Sequence, residues 1–200
     1  VMYKTLETGS HGIHTKAYKV EMVPTNEIIL EWSDEPKPKS NYDHGLKSVP
    51  IMTKDKYRLE LEVTQTIRIN REDAPVMVLL VGSQGEETDE DKSRSIRNLV
   101  SRVLAKSVER FFLTASTQFD AEDFLNRRQE EIRQKMADQI QSALLSRGVE
   151  AITTAFKVKE EKLPEKLRKV IEVRQNKINE KEEHNLEMLR KRQEEEKMKK

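Results

Sequence analysis

The sequence predicts an α+β fold: a mostly antiparallel sheet packed by amphipathic helices, followed by one long charged helix. Three observations carry this. Residues 57–70 alternate between apolar and polar side chains, broken at Gln65, the pattern of a strand with one buried and one wet face. From Ser95 onward the apolar residues recur at helical spacing. From Glu165 to Lys200 glycine and proline disappear, and 12 Lys/Arg and 9 Glu take 21 of the 36 positions.

The lead-in, residues 1–15, shows no sustained period. Between Lys16 and Trp32, Tyr18, Val20 and Met22 alternate with polar neighbours, and Glu27–Trp32 forms a second short run. Pro24-Thr25-Asn26 reads as the turn between them. Ser33–Ser48, with Pro36, Pro38, Asn41, Asp43 and Gly45, is expected to be a long exposed loop. Val49–Thr53 is a short strand and Lys54–Lys56 a turn. Next, Tyr57, Leu59, Leu61, Val63, Ile67 and Ile69 point one way. Arg58, Glu60, Glu62, Thr64, Thr66, Arg68 and Asn70 point the other and are expected to be wet, as one face of an antiparallel sheet often is.

Asp73 is placed to cap a short helix that Pro75 opens and Gly82 closes. Residues 83–94 are polar and acidic. Their carboxylates lack an EF-hand's ligand order and central glycine, so a solvated connector is the expected reading. Ile96, Leu99, Val100, Val103, Leu104, Val108, Phe111 and Phe112 form the stripe of the next helix. Asp120 caps another, whose apolar face runs Leu125, Ile132, Met136, Ile140 and Leu144 to a stop at Arg147-Gly148. Residues 149–158 are rich in β-branched residues and predict a strand, with Ile152, Phe156 and Val158 on one face. Pro164 then opens the charged helix. Its i, i+4 pairs, such as Glu165–Lys169 and Glu187–Lys191, each add about 0.2–0.5 kcal/mol of helix stability. Its apolar seam is thin, because Asn185, Arg192, Arg174 and Lys181 interrupt both heptad columns.

Composition narrows the chemistry. The chain has 200 residues, 36% charged, with a net charge of +1 and mean hydropathy −0.81. Such a balance gives no support for nucleic-acid binding. No cysteine is present, which excludes disulfides, thiolate zinc sites and cysteine nucleophiles. His11 and His14 lie close together without a third ligand at fixed spacing, and His44 and His184 stand in no catalytic pattern. Gly82-Ser83-Gln84-Gly85 lacks the Lys-Ser/Thr of a phosphate loop. Glu122 and Asp123 suit the start of a helix better than acid–base work. The expectation is therefore no enzyme, with no catalytic, cofactor-binding or metal site and no cofactor. No apolar run reaches the roughly 20 residues that cross a bilayer.

The order of elements is more specific. Thr53-Lys54-Asp55 enters a long strand that runs through Val63–Ile69 into Ala74-Pro75 and a short apolar helix ending at Val81-Gly82. An amphipathic helix follows, then Phe119–Phe124 leads into Arg127-Arg128 and Ile132. Leu144–Ile152, with its Gly148-Val149 helix end, precedes the last strand, Leu163-Pro164 and the charged helix. This ordered set resembles the stomatin/prohibitin/flotillin (SPFH, or Band 7) domain family. The resemblance implies a lead-in at 1–15 with a membrane anchor upstream, an SPFH domain at 16–162, and the start of a coiled-coil helix at 163–200.

It also implies a non-enzymatic, membrane-associated scaffold. Identical subunits would build a ring or cage that organises a membrane microdomain and partner membrane proteins, a membrane protease among them. The domain itself would be water-soluble, with lipids but no nucleic acid as partners. A soluble particle-forming protein with a vault-shoulder-like domain is the alternative. The expected oligomer interface is Leu167, Val170, Ile171, Arg174, Ile178, Lys181, Leu186, Met188 and Leu189 on the charged helix.

Overall fold

Twelve residues, Arg58–Ile69, form one long strand, β3, on which the rest of the sheet is built. The structure, a computed structural model, describes Leu6 and residues 11–13, 20–35, 42–82 and 93–198, through the backbone alone at 174–175 and 189–198. Two short strands, β1 (Ile28–Trp32) and β2 (Val49–Met52), lie end to end along one edge of β3. β1 pairs with the second half, Ile28 opposite Ile67, and β2 with the first half, Val49 opposite Leu61. The opposite edge is covered by β4 (Val149–Val158). All three pairings are antiparallel, as the alternation predicts.

The expected strand at Tyr18–Met22 is absent over the described part: residues 20–27 are irregular, and residues 16–19 lie outside the description. The stretch after β1 also departs from a simple exposed loop. Asp43 and Leu46 are buried, and an Asp43 oxygen, Oδ2, accepts the Glu31 backbone N–H at 2.8 Å. Residues 36–41 lie outside the description.

One face of β3 packs inward. Leu59, Leu61, Val63, Ile67 and Ile69 are all buried, and Gln65 shares their side. A buried amide must find partners. Gln65 Oε1 accepts the Thr154 hydroxyl at 2.7 Å, and its Nε2 donates to the Thr66 carbonyl at 2.9 Å.

Helices cover this face. After β3 comes α1 (Ala74–Val81), closed by Gly82, whose N–H donates to Val78 O at 2.9 Å. Asp73 sits at the capping position, but its side chain makes no cap hydrogen bond. It lies against Gly148 instead, where a Cβ would stand only 2.7 Å from the Asp73 Cβ. Next, α2 (Arg94–Asn98), a π-helical segment (Leu99–Leu104) and α3 (Ala105–Gln118) follow one another without a break. Their stripe is buried as predicted, with Val103 only half-buried.

A second π segment, Asp123–Arg127, precedes α4 (Gln129–Leu145). It changes which residues face inward: Phe124 is fully buried, whereas the expected Leu125 is half-buried. Beyond the break at Arg128, Ile132, Met136, Ile140 and Leu144 are all buried. Arg128 and then Lys135 hydrogen-bond Glu131 at the start of α4 and hold its carboxyl down to about 2. Edge-to-face ring contacts join Phe112 to Phe156 at 5.4 Å and Phe124 to Phe156 at 6.3 Å, tying α3, the second π segment and β4 into one core.

β4 also corrects an expectation. Thr66 lies opposite Thr153 but Ile67 lies opposite Ala151, so Ile152 is a surplus residue in a β-bulge. Phe156 and Val158 face inward, and Ile152 is turned out.

By internal contacts the chain divides into two units, residues 1–159 and 160–200. In the second, a short 3₁₀ turn (Glu160–Lys162) precedes α5 (Glu165–Met198), a single 34-residue helix. Arg168 N–H donates to Pro164 O at 3.0 Å, which starts its ladder.

Candidate functional site

Three features in the two units can carry function: the long helix, an ionic cluster on the outer sheet face, and a groove beside β2.

All nine residues of the expected interface lie on α5. At 3.6 residues per turn, eight of them fall within an arc of about 100°, while Leu186 stands outside it. Leu167 is buried and Ile171 half-buried. Val170, Ile178, Leu186 and Met188 are exposed, as is Lys181; Arg174 and Leu189 are placed through the backbone. Exposed apolar side chains along a charged helix leave a seam that nothing within this helix covers.

The outer face of the sheet is not simply wet. Glu62 is buried there, between Lys157 Nζ at 2.8 Å and Lys159 Nζ at 3.2 Å, and its Oε1 also accepts the Ser33 hydroxyl at 3.1 Å. Lys159 reaches on to Asp34 Oδ2 at 3.1 Å, which also accepts the Ser48 hydroxyl at 2.7 Å. Burial pushes the Glu62 carboxyl up, but hydrogen bonds from Lys157, Lys159 and Ser33 outweigh it and hold the group below its ordinary value. The Ser48 hydroxyl, then Lys159, holds Asp34 far below the usual carboxylate range. Burial lowers Lys159, yet Asp34 and Glu62 together hold it above the ordinary lysine value. Sequence periodicity places Glu62 on the polar face of its strand and leaves Ser33, Asp34 and Ser48 in a loop. That Lys159 bridges two carboxylates 28 positions apart follows only from the pairing of β4 with β3. Further along the same face Arg68 donates to Glu150 at 2.7 Å.

The Thr53-Lys54-Asp55 entry to β3 has a structural task. Asp55 Oδ1 accepts the Thr53 hydroxyl at 2.6 Å and the Ala121 N–H at 3.0 Å, while Lys54 N–H donates to Phe119 O at 3.1 Å. The β2–β3 turn is thereby fastened to the residues that lead into the second π segment.

A groove of about 1300 Å³ opens between β2 and the helical wall of residues 97–117. Its wall carries the small side chains Ser101, Ala105 and Ser116, and Trp32 contributes from β1. Met52 and Leu113, 52% and 72% exposed, also line it.

His11, His44 and His184 are exposed, and His14 lies outside the description. Among the described residues no group of three or more His, Asp or Glu side chains is placed to hold a metal ion. The acidic residues 83–92 lie outside the description. Among the described residues no helix is long and apolar enough to cross a membrane.

An antiparallel sheet covered by helices with π segments, followed by a long charged helix, defines a helix-bearing α+β domain. Comparison with protein families matches residues 2–199 to the SPFH domain / Band 7 family. The chain belongs to that family, as the order of its elements predicts. Membership is consistent with a membrane-associated scaffold and with a family that is generally non-enzymatic. A comparison with curated proteins returns no match.

Proposed function

We propose that this chain is the domain-and-helix part of a non-enzymatic, membrane-associated scaffold. Identical copies assemble into a ring or cage through α5 and so organise a membrane microdomain and partner membrane proteins, a membrane protease among them. The observation that carries the reading is α5 itself: a 34-residue helix whose apolar residues Val170, Val173, Ile178 and Leu186 are exposed. Such a seam is too thin for a strong two-stranded coiled coil. Side-by-side packing in a closed array lets each helix use two neighbours, and the Glu and Lys/Arg side chains pair laterally. Each exposed pair contributes only about 0–1 kcal/mol, so many copies share the task. Family membership supports the membrane association. So does α1, whose Val76, Leu79 and Leu80 form an exposed apolar surface in a helix with no charged residue.

Sedimentation of the 200-residue chain tests the assembly. Large species are expected at low salt, with loss of mass near 1 M, where the screening length is about 3 Å. A monomer at every concentration overturns the reading, and an assembly indifferent to salt overturns lateral charge pairing.

A further inference from the structure

The groove beside β2 belongs neither to α5 nor to the ionic cluster, and its chemistry points to a specific occupant. We propose that it is a docking site for an extended, acidic and apolar segment of a partner protein, which adds as a strand to the outer edge of β2.

The first support is the backbone. Thr53 N–H donates to Tyr57 O at 2.9 Å, and antiparallel ladders alternate. Ile51 and Val49 therefore also turn their backbone groups toward β3. Those of Pro50 and Met52 turn the other way, to an edge that has no partner strand among the described residues. Pro50 lacks an N–H, so the edge offers the Pro50 carbonyl and both groups of Met52. Proline on an edge strand limits indiscriminate pairing without abolishing it.

The second support is shape. The groove, at about 1300 Å³, exceeds the usual 300–1000 Å³ of a small-molecule site. It runs between an edge strand and a helix. A strand added to β2 would extend the sheet over the helical wall, where Ser101, Ala105 and Ser116 leave room for alternate side chains.

Charge is the third. Lys47, Lys54, Lys56 and Arg97 border the groove, against Glu109 as its one carboxylate among the described residues. Lys47, Lys54 and Lys56 are exposed and have no ion pair among the described residues. A cationic rim around an apolar floor complements a segment that alternates acidic and apolar residues. The backbone edge favours a peptide over an acyl chain, which has no amide to pair.

The proposal does not depend on assembly through α5, so its failure leaves the scaffold reading standing, and the reverse. The test uses the full chain and a fluorescent alternating Glu-Val peptide of about six residues, the length of an ordinary strand. Saturable binding is expected, and the Met52 amide gains hydrogen-exchange protection. The same peptide with N-methylated amides, and a Lys-Val peptide, should each bind at least about tenfold more weakly. Lys47→Glu with Lys54→Glu weakens the Glu-Val peptide about tenfold and leaves the thermal transition in place. Ala105→Trp blocks the groove. Equal binding of the N-methylated or Lys-Val peptide overturns the proposal. So does failure of the Glu-Val peptide to bind while phosphatidylglycerol vesicles bind through the same lysines. Self-association that Ala105→Trp abolishes, with no peptide bound, identifies a second copy as the occupant and equally overturns it.

Discussion

The first unit and α5 place their apolar side chains in opposite ways. In residues 28–158 nearly every large aliphatic of the sheet's inner face is buried, and three elements meet on Phe156. On α5 the exposed Val170, Val173, Ile178 and Leu186 share a surface with charged residues. The contrast separates two sources of order. The first unit gains its stability from burial, about 25 cal/mol per Å² of apolar surface. Beyond the buried Leu167, the helix gains local pairs worth tenths of a kcal/mol, and nothing within it covers its exposed seam.

The sharpest way to break this contrast is a matched pair of truncations. Phe124→Ala removes a fully buried ring and is expected to cost about 3–5 kcal/mol in a denaturant titration. Ile178→Ala on α5 should move that transition by less than about 0.5 kcal/mol while lowering the assembled mass in sedimentation. If the two variants unfold alike, the division of labour is wrong.

Backbone geometry supplies the next effect. Gly148 has φ +69°, with Asp73 where a Cβ would go. Gly148→Ala should cost more than about 1 kcal/mol by thermal unfolding. Gly45→Ala, with open space around the site, should stay within about 0.5 kcal/mol.

The ionic cluster sharpens the comparison by pH. Asp34 and Glu62 have folded values below their ordinary ones, so the stability they contribute is complete above about pH 5. It is lost as pH falls through the folded values. Lys159 is raised, so its contribution is present below the ordinary lysine value and lost as pH rises through the folded one. Lys159→Met should flatten both limbs of a stability–pH profile. A profile identical to that of the unsubstituted protein would show that the bridge contributes nothing. The smallest effect belongs to single α5 pairs: Glu187→Gln should reduce helicity by circular dichroism by an amount corresponding to about 0.2–0.5 kcal/mol.

Much of this architecture is legible in the chain. β3, α1, the Ile132–Leu144 face of α4 and the charged helix follow from period, proline and glycine, because each is specified by neighbours within one or two turns; the start of α4 does not, since the helix expected from Asp120 breaks at Arg128 and α4 begins at Gln129. The π segments are not, since Leu99–Leu104 reads as ordinary helix until its packing is seen. Gln65 interrupts an apolar run and shows its reason only opposite Thr154, 89 residues away. Asp43 looks like a loop residue until Glu31 N–H finds it. The nine α5 positions come from helical spacing, which is why only Leu186, an apolar residue off that spacing, falls outside the arc. The groove was invisible to periodicity because its two walls, β2 and residues 97–117, are far apart in the chain and meet only in the folded unit.

The unpaired residue at Ile152 has a consequence for how the sheet resists error. Val149 and Ala151 belong to one parity, and Thr154, Phe156 and Val158 to the other. Sliding β4 by a single position would evict both groups at once, and sliding by two would leave the notch facing an unbroken rung. The strand thus works like a key cut on two sides: only one alignment with β3 satisfies both halves.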